Sequence, residues 1–290
     1  ADVDSGLVSE GTIDVSGEGT IFGARLNKPL QRLGNYEHKL VGGVDYRAYS
    51  NTVTVVGVGG PSLVPDITIH PLSLTYAGQW KVPGIQADFY VTGVANFPFG
   101  NDGRQNDFEI DLAAGETSSD GQRVEGDADY KILRYGGNFA KVLPRDWQMR
   151  LSFSAQRTTD ALVPGEQFGL GGRDSIRGFH ERTIANDEGY RVGGELYTPD
   201  FGPWTNTHFL QLKDGFRARA LFFYELGDVY RNHIQVGEQS SVGIASVGLG
   251  LRAALGKNVN LRLDYGRIVD AGGDREDDDE RLHTSLGVTF

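Results

Sequence analysis

Phe216-Arg217-Ala218-Arg219-Ala220-Leu221-Phe222-Phe223-Tyr224-Glu225-Leu226-Gly227-Asp228-Val229-Tyr230 alternates almost residue by residue. One face carries Phe216, Ala218, Ala220, Phe222, Tyr224 and Leu226. The other carries Arg217, Arg219, Leu221, Phe223, Glu225 and Gly227. A period of two is the signature of a strand with two unlike faces. The run outlasts the usual soluble strand of about 5–6 residues and matches the roughly 9–11 residues that a tilted strand needs to cross a bilayer. Its polar face holds arginine, glutamate and glycine. A sandwich core would bury those charges, whereas a wide barrel leaves them in a wet lumen and turns the apolar face to lipid.

The same alternation recurs on either side. Ala245, Val247, Leu249, Leu251 and Ala253 oppose Ser246, Gly248, Gly250 and Arg252. Val259, Leu261, Leu263 and Tyr265 oppose Asn260, Arg262, Asp264 and Gly266, and the last run is 282–290, ending on Phe290. Upstream strands are predicted at 19–29, 36–49, 67–81, 86–97, 129–142, 146–157 and 188–198, with one more near 5–16. The expectation is an all-β, transmembrane antiparallel β-barrel with about twelve visible strands, an even number as bacterial barrels have. Short turns (29–32, 81–84, 143–146) alternate with long connections (50–66, 98–128, 158–187). The connection 199–215 falls on the short side but is long, and 105–115 is placed in a loop. No second domain or flexible linker separates from 1–290.

Composition narrows the function. The 290 residues carry a net charge of -11, which argues against nucleic acid, since phosphate binding needs basic clusters. The absence of cysteine removes disulfides, thiolate metal sites and cysteine nucleophiles. No apolar run approaches the ~20 residues of a membrane helix, and a mean hydropathy of -0.35 is compatible with strands that show lipid only every second side chain. The six histidines stand at no metal-ligand spacing. The acidic run 270–281 fits no EF-hand and reads as a solvated loop. Gly169-x-Gly171-Gly172 opens no helix and is no phosphate loop. No catalytic set, cofactor or metal is expected. Ala1 at the start suggests a processed or truncated product.

One stretch breaks the alternation: Phe168-Gly169-Leu170-Gly171-Gly172-Arg173-Asp174-Ser175-Ile176-Arg177-Gly178-Phe179. It is glycine-dense, too irregular for a strand, and sits in a connection of about thirty residues that is costly to order alone. If it folds into the lumen, Arg177 needs a counter-charge. Glu225, within Phe223-x-Glu225-x-Gly227, offers a carboxylate for a bidentate pair, and Gly227 leaves room for the loop backbone. The alternative is an exposed Arg177 and a solvated Glu225.

Ile176-Arg177-Gly178-Phe179 resembles the [VI]-R-G-[FY] signature of the POTRA-barrel superfamily of outer-membrane proteins. Phe223-x-Glu225-x-Gly227 resembles its F-x-D-x-G strand motif, with glutamate in place of aspartate. Further stretches extend the likeness over about 19–290 to the two-partner secretion transporters of TpsB type, the haemolysin-activator and filamentous-haemagglutinin transporter branch. They include Pro29-Leu30, Tyr36 to Leu40, Asp45 to Thr52, Pro71 to Tyr76, Gly165 to Gly172 and Ser246 to Arg252.

That resemblance implies a sixth extracellular loop folded into the lumen, with Arg177 held by the strand acid. It also implies two POTRA domains, a plug helix and sixteen strands, so the twelve strands here read as the C-terminal part of such a barrel, with POTRA domains and first strands apparently absent. The implied function is outer-membrane secretion of a large unfolded exoprotein without ATP. Mixed lumen charges (Arg217, Arg219, Arg252, Arg262, Asp264, Glu225) would let the chain slide. The expected partners are that exoprotein, outer-membrane lipid and lipopolysaccharide, with no nucleic acid, and the expected state is a monomer. Phe290 matches an insertion signal. The alternatives are an assembly factor of the same superfamily, a passive solute porin and, third, an enzyme barrel.

Overall fold

Alternation makes each strand two-faced, and each hairpin pairs it with its neighbour in sequence. The computed structural model describes residues 2–8, 13–55, 66–108, 126–210, 215–234, 238–272 and 279–289. Its strands are β1 (Asp2–Val8), β2 (Ile13–Pro29), β3 (Tyr36–Val55), β4 (Ile67–Ile69), β5 (Pro71–Val82), β6 (Ile85–Asn96), β7 (Lys131–Val142) and β8 (Gln148–Arg157). They continue as β9 (Phe168–Leu170), β10 (Ile184–Asn186), β11 (Glu188–Tyr197), β12 (Phe216–Tyr230), β13 (Ser241–Leu255), β14 (Val259–Asp270) and β15 (Glu280–Val288). One antiparallel sheet runs β1-β2-β3-β5-β6-β7-β8-β11-β12-β13-β14-β15, with β4 added beside β3. Its path thus holds twelve strands. β9 and β10 form a separate hairpin within the long 158–187 connection.

The faces separate as expected of a membrane barrel. Outward side chains are apolar and bare: Phe22 is 68% exposed, Leu26 76% and Leu249 63%. An apolar surface of this extent belongs in lipid. All three tryptophans, Trp80, Trp147 and Trp204, are exposed near the short-turn end, where an aromatic girdle meets the bilayer surface. Among the described residues there is no single central core. Buried side chains cluster where long connections pack on the inner face. Ile67, Ile69, Tyr130, Ile132 and Leu162 form one such group. Leu170, Ile176, Phe179, Val229, Ile244 and Ile268 form another.

Several sequence expectations are corrected. The stretch 5–16 is not one strand: it holds the end of β1 and the start of β2, with 9–12 outside the described residues. The 67–81 stretch is broken at His70, whose N–H goes to the Asn96 side-chain oxygen at 2.6 Å instead of to a ladder. Phe168–Leu170 is a strand after all, because Ile184–Asn186 returns to pair with it. Gln105–Phe108 is a helical turn, and 109–115 lies outside the described residues, as do Phe290 and 273–278 of the acidic run. The 199–215 connection is long because it folds back on β12. Asp200 Oδ1 accepts the N–H groups of Gly202 and Ala218, each at 2.9 Å.

Candidate functional site: the lumenal loop and its clasps

The cross-strand register builds the site's wall. Glu225 stands between Gly193 of β11 and Ser246 of β13. Two residues along the same face, Phe223 stands between Glu195 and Gly248, and Gly248 in turn faces Gly266 of β14. Next come Leu221, Gly250, Asp264 and His283 of β15. Three carboxylates, one ring and several glycines thus share one inner face.

The loop tip seats on this wall. Arg177 is 1% exposed. Its Nε donates to Glu225 Oε1 and Oε2 at 3.0 and 3.1 Å, and its Nη2 donates to Oε1 at 2.6 Å. The backbone N–H of Arg177 adds a bond to Oε2 at 2.8 Å. The longer glutamate arm therefore spans both the guanidinium and the loop backbone. Nη1 donates to Asp264 Oδ1 at 3.0 Å, and Glu195 Oε1 lies 2.8 Å from Nη2. The guanidinium carbon sits 3.6 Å from the centre of the Phe223 ring, close enough for a strong cation–π contact once water is excluded. Buried charge is tolerated only with this density of partners.

Glycine matters at two points of contact. Gly178 has φ of +97°, a conformation side chains avoid, and its N–H donates to His283 Nε2 at 3.1 Å. A Cβ on Gly266 would come within 2.8 Å of the Gly178 nitrogen, so only a bare backbone lets the tip approach β14. The room beside Gly227 is filled by the Leu170 side chain, not by loop backbone as the sequence suggested. Ile176 and Phe179, which flank the arginine, are buried in the group with Val229, Ile244 and Ile268.

A second clasp of reversed polarity holds the other end of the loop. Glu166 is 1% exposed. Its Oε1 takes Arg47 of β3 at 2.5 Å and its Oε2 takes Arg134 of β7 at 2.8 Å. Its carbonyl accepts Gln156 Nε2 at 2.9 Å. Arg47 also bonds Asp45, which holds Arg25 of β2 at 2.7 Å. The loop is therefore tied to β11, β12 and β14 through Arg177 and to β3, β7 and β8 through Glu166. Sequence reasoning brought Arg177 and Glu225 together, and the structure places them in contact. It did not pair Asp264 or Glu195 with Arg177, nor find Glu166 with Arg47 and Arg134. Asp264 was visible only as one lumen charge among several. Among the described residues no group of acids and histidines is placed to hold a metal.

Residues 7–253 match the family of haemolysin secretion/activation proteins ShlB/FhaC/HecB. The chain belongs to this family. Members are outer-membrane β-barrel transporters of two-partner secretion, not a family of enzymes, so this ShlB/FhaC/HecB chain resides in the bacterial outer membrane. No curated protein matches it significantly. Among solved structures, CdiB from Escherichia coli is similar at a TM-score of 0.74 and 17% identity, over 100% of this chain and 49% of that one. CdiB from Acinetobacter baumannii gives 0.67 and 15%, over 99% and 45%. BamA from Haemophilus ducreyi lacking POTRA domains 1–3 gives 0.59 and 14%, over 99% and 57%. At these identities the likeness is one of fold. The ShlB/FhaC/HecB chain spans about half the length of the CdiB chains.

Proposed function

We propose that this barrel is the pore through which a large, unfolded exoprotein passes to the cell surface, and that the 158–187 loop shapes or gates that pore. The chain acts as one barrel domain, with folding of the cargo outside the cell as the driving force. The observation that carries this reading is the buried Arg177. A loop arginine enclosed by Glu225, Asp264 and Glu195 of three strands supports a loop that is held against the inner wall instead of capping the barrel's mouth. Occupying the lumen with a clasped segment restricts small solutes, while a clasp made of ion pairs can be exchanged for contacts with a passing chain. Mixed charge on the remaining wall keeps an unfolded chain hydrated.

The test pairs secretion with planar-bilayer conductance for Arg177→Ala. The expected result is loss of exoprotein at the cell surface together with altered, noisy current. A steady solute current that ignores the substitution, with secretion intact, belongs to a passive porin and overturns the proposal. Unchanged secretion with defective insertion of other barrels would instead assign the chain to assembly.

A further inference from the structure

The lumen wall is not evenly mixed in charge at its short-turn end. Arg219 faces Arg252 across the β12–β13 ladder, and Arg252 faces Arg262 across β13–β14. Like charges directly opposite one another destabilise a sheet, yet three arginines stand in one row. Arg217 lies two residues further along β12, and Arg150 stands on β8. These five arginines and Asp200 line a cavity of about 550 Å³. The chain as a whole carries a net charge of -11, so this basic concentration runs against its composition.

The acids nearby do not saturate these groups. Arg219 pairs with Asp146 at 2.7 Å. Arg252 and Arg262 share Asp264, at 2.9 and 2.7 Å, and Asp264 also serves Arg177. Asp200 spends Oδ1 on two backbone N–H groups. Arg150 bonds the Tyr197 hydroxyl at 3.2 Å and lies over its ring. Glu195 stands opposite Arg150 in the ladder and meets the same Tyr197 hydroxyl, but among the described residues neither Arg150 nor Arg217 makes a direct ion pair. Each guanidinium offers five donors in a fork that fits a carboxylate.

The loop itself shows what the row accepts. Asp174, at the tip, reaches in and takes Arg262 Nη1 at 2.8 Å, with its side chain still 67% exposed. Arg262 Nη2 also holds the Arg173 carbonyl at 2.8 Å. Because the Asp174 carboxylate is exposed, another carboxylate can reach Arg262 and compete with it.

We infer that this cavity is a carboxylate-docking station for the polypeptide in transit. An acidic stretch entering from the short-turn end binds Arg150 and Arg217 first. It then competes with Asp174 for Arg262, which loosens the loop tip from β14. The inference rests on the transport reading and adds to it the chemistry of the segment that engages the wall and the side from which it arrives.

The test uses the protein in a planar bilayer with a polyglutamate peptide as probe. Peptide added on the short-turn side should block the current, the block should weaken as salt is raised, and polylysine should not block. The double substitution Arg150→Gln/Arg217→Gln should raise the blocking concentration by about two- to thirtyfold, as expected for two partly screened ion pairs. Absence of block, equal block by polylysine, or equal block in the double variant overturns the inference. The polylysine comparison needs no variant and stands even if the double variant fails to fold. If polyglutamate blocks while Arg177→Ala leaves secretion intact, the transport reading fails and the site remains. If secretion depends on Arg177 and no peptide blocks, the docking station alone fails.

Discussion

Replacing Arg177 by alanine removes four side-chain hydrogen bonds, three to Glu225 and one to Asp264. The damage is unequally shared. Asp264 keeps Arg252 and Arg262. Glu195 keeps the Tyr197 hydroxyl at 2.8 Å. Glu225, 8% exposed, has no other cation among the described residues. Breaking a buried pair from one side costs about 3–5 kcal/mol, mostly through the charge left behind. Loop docking should therefore weaken by about two to three and a half powers of ten. Glu225→Ala takes away the main partner but leaves Arg177 with Asp264 and Glu195, so it should cost less than Arg177→Ala. The double variant strands neither, so the two effects should fall short of additivity by about 2–3 kcal/mol. Amide hydrogen exchange of residues 171–183 in the detergent-solubilised barrel reads the docking equilibrium directly, and exoprotein secretion reads its consequence. Additivity within about 0.5 kcal/mol, or wild-type protection in either single variant, would refute the clasp.

Three further outcomes are expected. Gly266→Ala places a methyl 2.8 Å from the Gly178 nitrogen and 3.0 Å from the Arg177 carbonyl carbon, so exchange protection of the tip should fall while the strands stay protected; an unchanged tip would show that β14 yields. Glu166→Gln keeps the shape but removes the charge facing Arg47 and Arg134, and should free the first half of the loop at a cost of about 3 kcal/mol or more. Protease cleavage confined to 160–170 would report it, and cleavage near 177 alone would contradict the two-clasp picture. Asp146, in the 143–147 turn, is held below the usual carboxylate range by the Asp200 N–H and by Arg219. Its folded value is depressed, so the clasp on Arg219 is complete above the ordinary carboxylate pKa and is lost only as pH falls through the lower folded value. Acid titration by NMR of the Asp146 carboxyl should show this, and a normal midpoint would rule it out.

Local pattern carried most of the fold because the strand period is local. Each residue's neighbours at two positions' distance lie on its own face, so Phe222 and Tyr224 could be assigned to lipid and Phe223 and Glu225 to the lumen without knowing what either face meets. Strand ends were less legible. The break at His70 depends on Asn96, 26 residues away, and the β9–β10 hairpin exists only because Ile184–Asn186 returns.

The site divided in the same way. The pairing of Arg177 with Glu225 could be drawn from two short motifs and the rule that a buried charge needs a partner. The other partners could not. Asp264 lies 87 residues from Arg177, and Arg47 lies 119 from Glu166. Which of many lumen charges meets the loop is set by ladder register and by the path of the loop across the lumen. Gly266 likewise looks like any strand glycine until Gly178 is laid against it. The sequence by itself determined a two-faced sheet with a charged interior and one arginine in need of an acid. Only the tertiary structure decided that three acids would share it, that a second clasp would tie the loop to β3 and β7, and that arginines would line up at the short-turn end. The physical reason is that side-chain period is fixed by the backbone alone, whereas register and loop path are fixed by contacts between residues far apart in the chain.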